Sequence, residues 1–154
     1  MALTLVIAFA PFFDPTQGYP RQTASTARVL AVAAQSYAMD HDQRWRLGPQ
    51  WEDRLRPYHG QDLQLLVKWH SRRPLFPPPP VSLRVTASKA ALGRTMTSPD
   101  QIGFFVSRLP NPHAVGDQSD QVWVEEWTVM ATVSGWAGVV RRGQTATFSW
   151  RAER

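Results

Sequence analysis

The chain has 154 residues, of which 43% are hydrophobic and 19% charged, the balance of one ordinary globular domain and not of a disordered tail. It has no cysteine, which excludes a disulfide framework, a thiolate zinc site and a thiol nucleophile. The formal net charge is +5, nearly all of it arginine, and residues 21–94 hold 12 basic against 5 acidic side chains. Such a half suits phosphate or an anionic surface, or is simply a solvated arginine face.

Residues 1–20 form an apolar N-terminal segment ending in Asp14-Pro15 and Gly18-Tyr19-Pro20. It is shorter than the roughly 18–20 residues of a spanning helix and lacks a basic leader, so the chain as given carries no spanning segment. It reads as an export-like or anchor-like segment, or as a buried strand in which Leu3, Leu5 and Ile7 alternate with Thr4 and Val6. Residues 21–154 read as a single domain. Thr23 or Ser25 can cap a helix over 26–40, with Leu30, Ala33, Ala34 and Tyr37 on its inner face and Arg28, Gln35 and Asp42 toward water. A second helix is expected from Pro49 or Gln50 to Arg56, ended by Pro57, with Trp51, Leu55 and Tyr58 inward.

Residues 63–69 read as a strand. Arg72-Arg73-Pro74 and the four prolines 77–80 then form an extended linker, which is a stiff loop or a polyproline ligand. Strands are expected over 81–85, 101–107, 121–133 and 145–150, with a short one at Val139-Val140, a helical turn over 87–94 and a loop over 110–117. A helix followed by antiparallel strands is an α+β arrangement, the N-terminal helix packing across the sheet.

Chemistry-bearing patterns are sparse. His41, His59, His70 and His113 show no metal-site spacing. Asp40 and Asp42 flank His41 and are weak candidates for a hard cation, but they lack the glycine-containing loop and distal glutamate of an EF-hand; the other reading is a solvated helix end. Asp40 sits at the negative end of the helix dipole, where Arg44 or Arg46 would have to compensate. No phosphate loop, dinucleotide fingerprint or nucleophile elbow is present, and Glu125 and Glu126 in one strand would point to opposite faces. Tryptophans beside arginines, as at Arg44-Trp45-Arg46 and Trp150-Arg151, suit either base stacking or core filling with arginines at the ring edges. The residues therefore point to a non-enzymatic protein with no cofactor, no catalytic residue and a binding role. Its partner surface is expected at a sheet edge or near Arg72, Arg73 and Asn111.

The stretch 27–42, with Tyr37, Ala38, Asp40 and Asp42, resembles the Tyr-Ala-x-Asp-x-Asp helix end of the type IV pilin-like or pseudopilin-like proteins with a prepilin-type N-terminus. Trp51, Leu55, Pro57 and Tyr58 are similar to the family's following Trp-x-x-x-Leu-x-Pro-Tyr segment, and 90–94 and 98–105 resemble its later loop and central apolar strand. Together these phrases cover 25–107, about half of the chain. At the N-terminus only Leu3-Thr-Leu-Val-Ile7 echoes the family signature, without its glycine and glutamate, and the prolines at 11, 15 and 20 interrupt a continuous stalk helix. The family's glycine-rich C-terminal phrase has no match; Arg142-Gly143 and the residues after it occupy its place. The resemblance implies a pilin-like head in the cell envelope or outside the cell, exported and in contact with other pilin-like or envelope subunits. A cytoplasmic location follows if Met1 is an unprocessed start. The alternative is a basic nucleic-acid-binding module using residues 21–94, linked to DNA uptake.

Overall fold

The structure is a computed structural model that describes residues 19–60, 62–63, 65, 67, 83–108, 115–124, 126–144 and 148–150. Helix α1 spans Tyr19–Met39 and helix α2 spans Trp51–His59. Five strands follow: β1 Arg84–Ser88, β2 Ile102–Ser107, β3 Val115–Gly116, β4 Trp127–Thr132 and β5 Ala137–Arg141. They form one sheet in the order β3-β1-β2-β4-β5, antiparallel except for the β1·β3 pair. The expected α+β fold, an N-terminal helix on a mostly antiparallel sheet, is the one observed. Among the described residues no helix is long and apolar enough to cross a membrane.

Alanine spacing positions α1. Ala27, Leu30, Ala31, Ala34, Tyr37 and Ala38 recur every three or four residues and are all buried. Their small side chains let the helix axis come close to β4 and β5, against which α1 packs. Burial of Leu30 alone contributes on the order of 1.5–3 kcal/mol. The helix is already formed at Tyr19, the first described residue of this stretch, so the expected caps Thr23 and Ser25 lie inside it.

Helix α2 runs past Pro57 to His59 and closes on Gly60 in the left-handed conformation (φ 61°), whose N–H donates to the Arg56 carbonyl. The expectation that Pro57 ends this helix is corrected: the stop is the glycine cap three residues later. Trp51 and Leu55 are fully buried. Phe104 of β2 sits between Trp45 and Trp51, with ring centroids 5.4 and 5.6 Å away. On the opposite face of the sheet, Ile102, Phe105, Met130 and Val140 form a second cluster under Phe148 and Trp150. The Phe105 and Trp150 rings meet edge to face at 4.9 Å.

Several strand boundaries differ from the sequence expectation. β1 is centred later than 81–85, and a single 3-10 turn, Lys89–Ala91, follows it. The turn is capped by Ser88, whose hydroxyl accepts the Ala90 N–H. Residues 63, 65 and 67 belong to none of the strands, yet the Val67 N–H donates to Leu83 and the Val85 N–H to Leu65. The loop 110–117 contains the two residues of β3, and the short Val139-Val140 strand is the middle of β5. Only 148–150 of the expected 145–150 strand are described; Ser149 bridges Gln101 there.

The continuous strand expected over 121–133 is broken. Val124 and Trp127 exchange backbone hydrogen bonds at 2.8 and 3.0 Å, so the chain reverses between them and β4 starts only at Trp127. Glu126 therefore stands in a turn, where its carboxylate pairs with Arg141 of β5 at 3.3 Å. Adjacent glutamates in a strand were the local sign of this reversal, because two neighbouring charges cannot both avoid burial in a covered sheet.

Candidate functional site

The end of α1 is shaped by two consecutive left-handed residues, Asp42 (φ 56°) and Gln43 (φ 59°). The Gln43 N–H turns back to the Ala38 carbonyl at 2.7 Å, and the chain then runs against the 93–96 turn through Trp45 N–H to Arg94 and Gly93 N–H to Trp45. This reversal delivers Trp45 and Leu47 into the core. The loop is also held from α2, because the Arg54 Nη1 donates to the carbonyls of both Arg46 and Leu47. The Tyr37 hydroxyl donates to the same Arg46 carbonyl at 3.0 Å.

An open depression of about 520 Å³ results, lined by Tyr37, His41, Arg46, Asp53, Arg54, Pro57 and Tyr58. Its wall is aromatic. His41 stacks on Tyr37 with centroids 3.9 Å apart and planes 12° from parallel, and Tyr58 meets Tyr37 edge-on at 5.7 Å. His41 Nδ1 lies 2.8 Å from the Tyr37 carbonyl. That carbonyl can only accept, so Nδ1 carries the proton and Nε2 is the outer nitrogen.

The two carboxylates singled out in the sequence turn to different partners. Asp40 accepts the Tyr58 hydroxyl at 2.8 Å, and Asp42 pairs with Arg46 at 3.1 Å. The compensation expected for Asp40 from Arg44 or Arg46 is thus made by a tyrosine of α2, while Arg44 donates to the Gly93 carbonyl. Among the described residues no three or more His, Asp or Glu side chains gather as metal ligands. Arg72, Arg73 and Asn111 lie outside the described residues.

The hydrogen bond to Asp40, with smaller effects of burial and the Asp40 charge, pushes the Tyr58 phenol above its ordinary pKa of 10.0. A raised folded pKa stabilises the fold fully below the ordinary value, and this contribution is lost as pH rises through the folded one. Absorbance titration of the phenolates should accordingly show one tyrosine ionising later than free tyrosine, and Asp40→Ala, which removes both acceptor and charge, should bring it back toward the ordinary range. A titration unchanged by Asp40→Ala would show that the contact does not hold in solution.

Of the surfaces considered for partners, the β5 edge is largely closed. The Thr132 N–H bonds the Trp136 carbonyl and the Arg142 N–H bonds the Glu126 carbonyl, so by antiparallel alternation Ala137, Val139 and Arg141 turn their backbone groups outward. Arg28 covers the Ala137 carbonyl, and Gln144 both accepts from the Arg141 N–H and donates to its carbonyl. Val139 alone keeps both groups open among the described residues, too little for strand addition. Among the described residues the exposed large hydrophobics are Val32, Met39 and Trp136. Val32 lies on the α1 face that also carries Arg28 and Gln35. Those two residues reach the Ala137 and Val133 carbonyls, so Val32 and Trp136 share one flank.

The tryptophan-arginine pattern resolves into packing at the sites described. Trp45 is 1% exposed, while Arg141 and Arg142 lie over Trp127 and Trp123 at 5.8 and 5.4 Å. Comparison of the chain with protein-family models, with characterised proteins and with solved structures gives no match.

Proposed function

We propose that the chain is a non-enzymatic, pilin-like or pseudopilin-like subunit, exported to the cell envelope or beyond it, that works by contact with other subunits of that kind. One observation carries this reading: an alanine-faced N-terminal helix lies across the last two strands of an antiparallel sheet, with a short helix between them in sequence. It supports the reading because the resemblance carried by Tyr37-Ala38-x-Asp40-x-Asp42 and by Trp51 to Tyr58 implies a helix packed on such a sheet. The flank formed by Val32 and Trp136 offers such contacts better than the covered edge of β5.

The nucleic-acid reading is the second. Against it, Trp45 is buried, Arg84 is held by Glu52, and Arg46 and Arg56 pair with Asp42 and Asp53. The charge of residues 21–94 is thus partly matched where it stands. The deciding experiment is cell fractionation of the native protein through a C-terminal tag, with intact mass measurement. A membrane or surface form with a trimmed N-terminus is expected. An unprocessed cytoplasmic form that binds DNA with a steep salt dependence would replace this reading by the second.

A further inference from the structure

The chemistry of the depression between the end of α1 and α2 converges on Arg54. Its Nη1 is spent on the Arg46 and Leu47 carbonyls. That nitrogen lies on the Cδ side of the guanidinium, so the other edge, Nε–H beside Nη2–H, remains as two parallel donors with no partner among the described residues. Two parallel N–H groups in a fixed plane match the two oxygens of one carboxylate. The remaining lining fits the rest of such a ligand: His41, stacked on the buried Tyr37, stands with the Tyr58 ring and Pro57 around an aromatic recess.

From this juxtaposition we infer that the depression binds a small carboxylic acid that carries an aromatic ring, the carboxylate on the free edge of Arg54 and the ring against His41 and Tyr58. The charges permit it. Asp53 and Asp42, the nearby carboxylates, each have an arginine beside them, Arg56 at 3.5 Å and Arg46 at 3.1 Å, and both pairs are exposed, so solvent screens the two acids from the ligand. The His41 Nε2 can add a donor when the ring is protonated. The volume of about 520 Å³ suits one such group. Two bonds on Arg54 and one on Tyr37 hold the wall in place beforehand, which lowers the ordering cost of binding. The site does not depend on where the protein resides and would stand if the envelope reading failed.

The test is a titration of the full chain by amide NMR with N-acetylphenylalanine, N-acetylphenylalanine amide, acetate, inorganic phosphate and a tetrapeptide ending in phenylalanine. Shifts are expected at His41, Arg54 and Tyr58, with the acid binding about tenfold tighter than its amide or acetate, as one bidentate charged contact implies. Arg54→Lys, which keeps the charge and loses the parallel donors, should remove about that tenfold preference. The amide comparison uses the unaltered chain, so it decides the matter even where Arg54→Lys fails to fold. A tetrapeptide that binds more tightly than the acid identifies a chain end as the source, and equal or weaker binding identifies a free aromatic acid. Equal binding of acid and amide, phosphate binding as tightly as the acid, or shifts remote from these residues would overturn the assignment.

Discussion

Replacing Glu52 by alanine should lower the unfolding free energy by about 3–5 kcal/mol, because it strands a charge that the fold has taken out of water. Arg84 of β1 and Glu52 of α2 form a close ion pair with side chains only 8% and 16% exposed. The pair also ties the short helix to the sheet, beside the contact of Trp51 with Phe104. The Arg84 Nε is already buried without a hydrogen-bond partner, so the guanidinium has little other support once the carboxylate is gone. Coulomb attraction is not the source of the effect; the desolvated cation is. The double substitution Glu52→Leu with Arg84→Met should therefore recover most of the loss, since two apolar side chains of similar size need no partner. Urea denaturation of the single and double variants checks this. A Glu52→Ala unfolding free energy within about 1 kcal/mol of the parent's would mean that water reaches the pair and that α2 is held by Trp51 and Leu55.

That pair also marks how far the sequence could be read. The inner face of α1 was legible because alanine, leucine and tyrosine at helical spacing leave few alternatives, and the same holds for β2, whose six residues are all buried. Where each helix starts and stops was less legible. Pro57 reads as a break, yet a proline near the end of α2 is tolerated beside the Gly60 cap, which is itself a readable signal. The site was hardly legible at all. The spacing of Asp40 and Asp42 draws attention to them, but what assembles the depression is Arg54 crossing to the backbone of residues 46 and 47 and His41 lying flat on Tyr37. Those contacts depend on the left-handed turn at Asp42 and Gln43; aspartate is among the residues that tolerate that conformation, but nothing in glutamine announces it.

Glycine at 103 should be equally unforgiving, and the comparison with Gly138 shows why. A Cβ built at Gly103 would stand 2.5 Å from the Trp45 ring, and one at Gly138 would stand 2.7 Å from the Trp136 ring. The two gaps are nearly the same, but the rings behind them are not. Trp45 is 1% exposed and leans on Phe104, so it has nowhere to move without opening the core between α2 and β2. Trp136 is 44% exposed and can swing outward. Gly103→Ala is thus expected to cost about 1–3 kcal/mol through overpacking, while Gly138→Ala should stay within about 0.5 kcal/mol. Thermal unfolding of the two variants, read by tryptophan fluorescence, separates them. If both melt like the parent, Trp45 is not seated over β2, and the stitched loop from Gln43 to Leu47 loses its anchor. If only Gly103→Ala falls, the same loop is fixed from below by Trp45 and from above by Arg54, which is the rigidity that the aromatic depression requires.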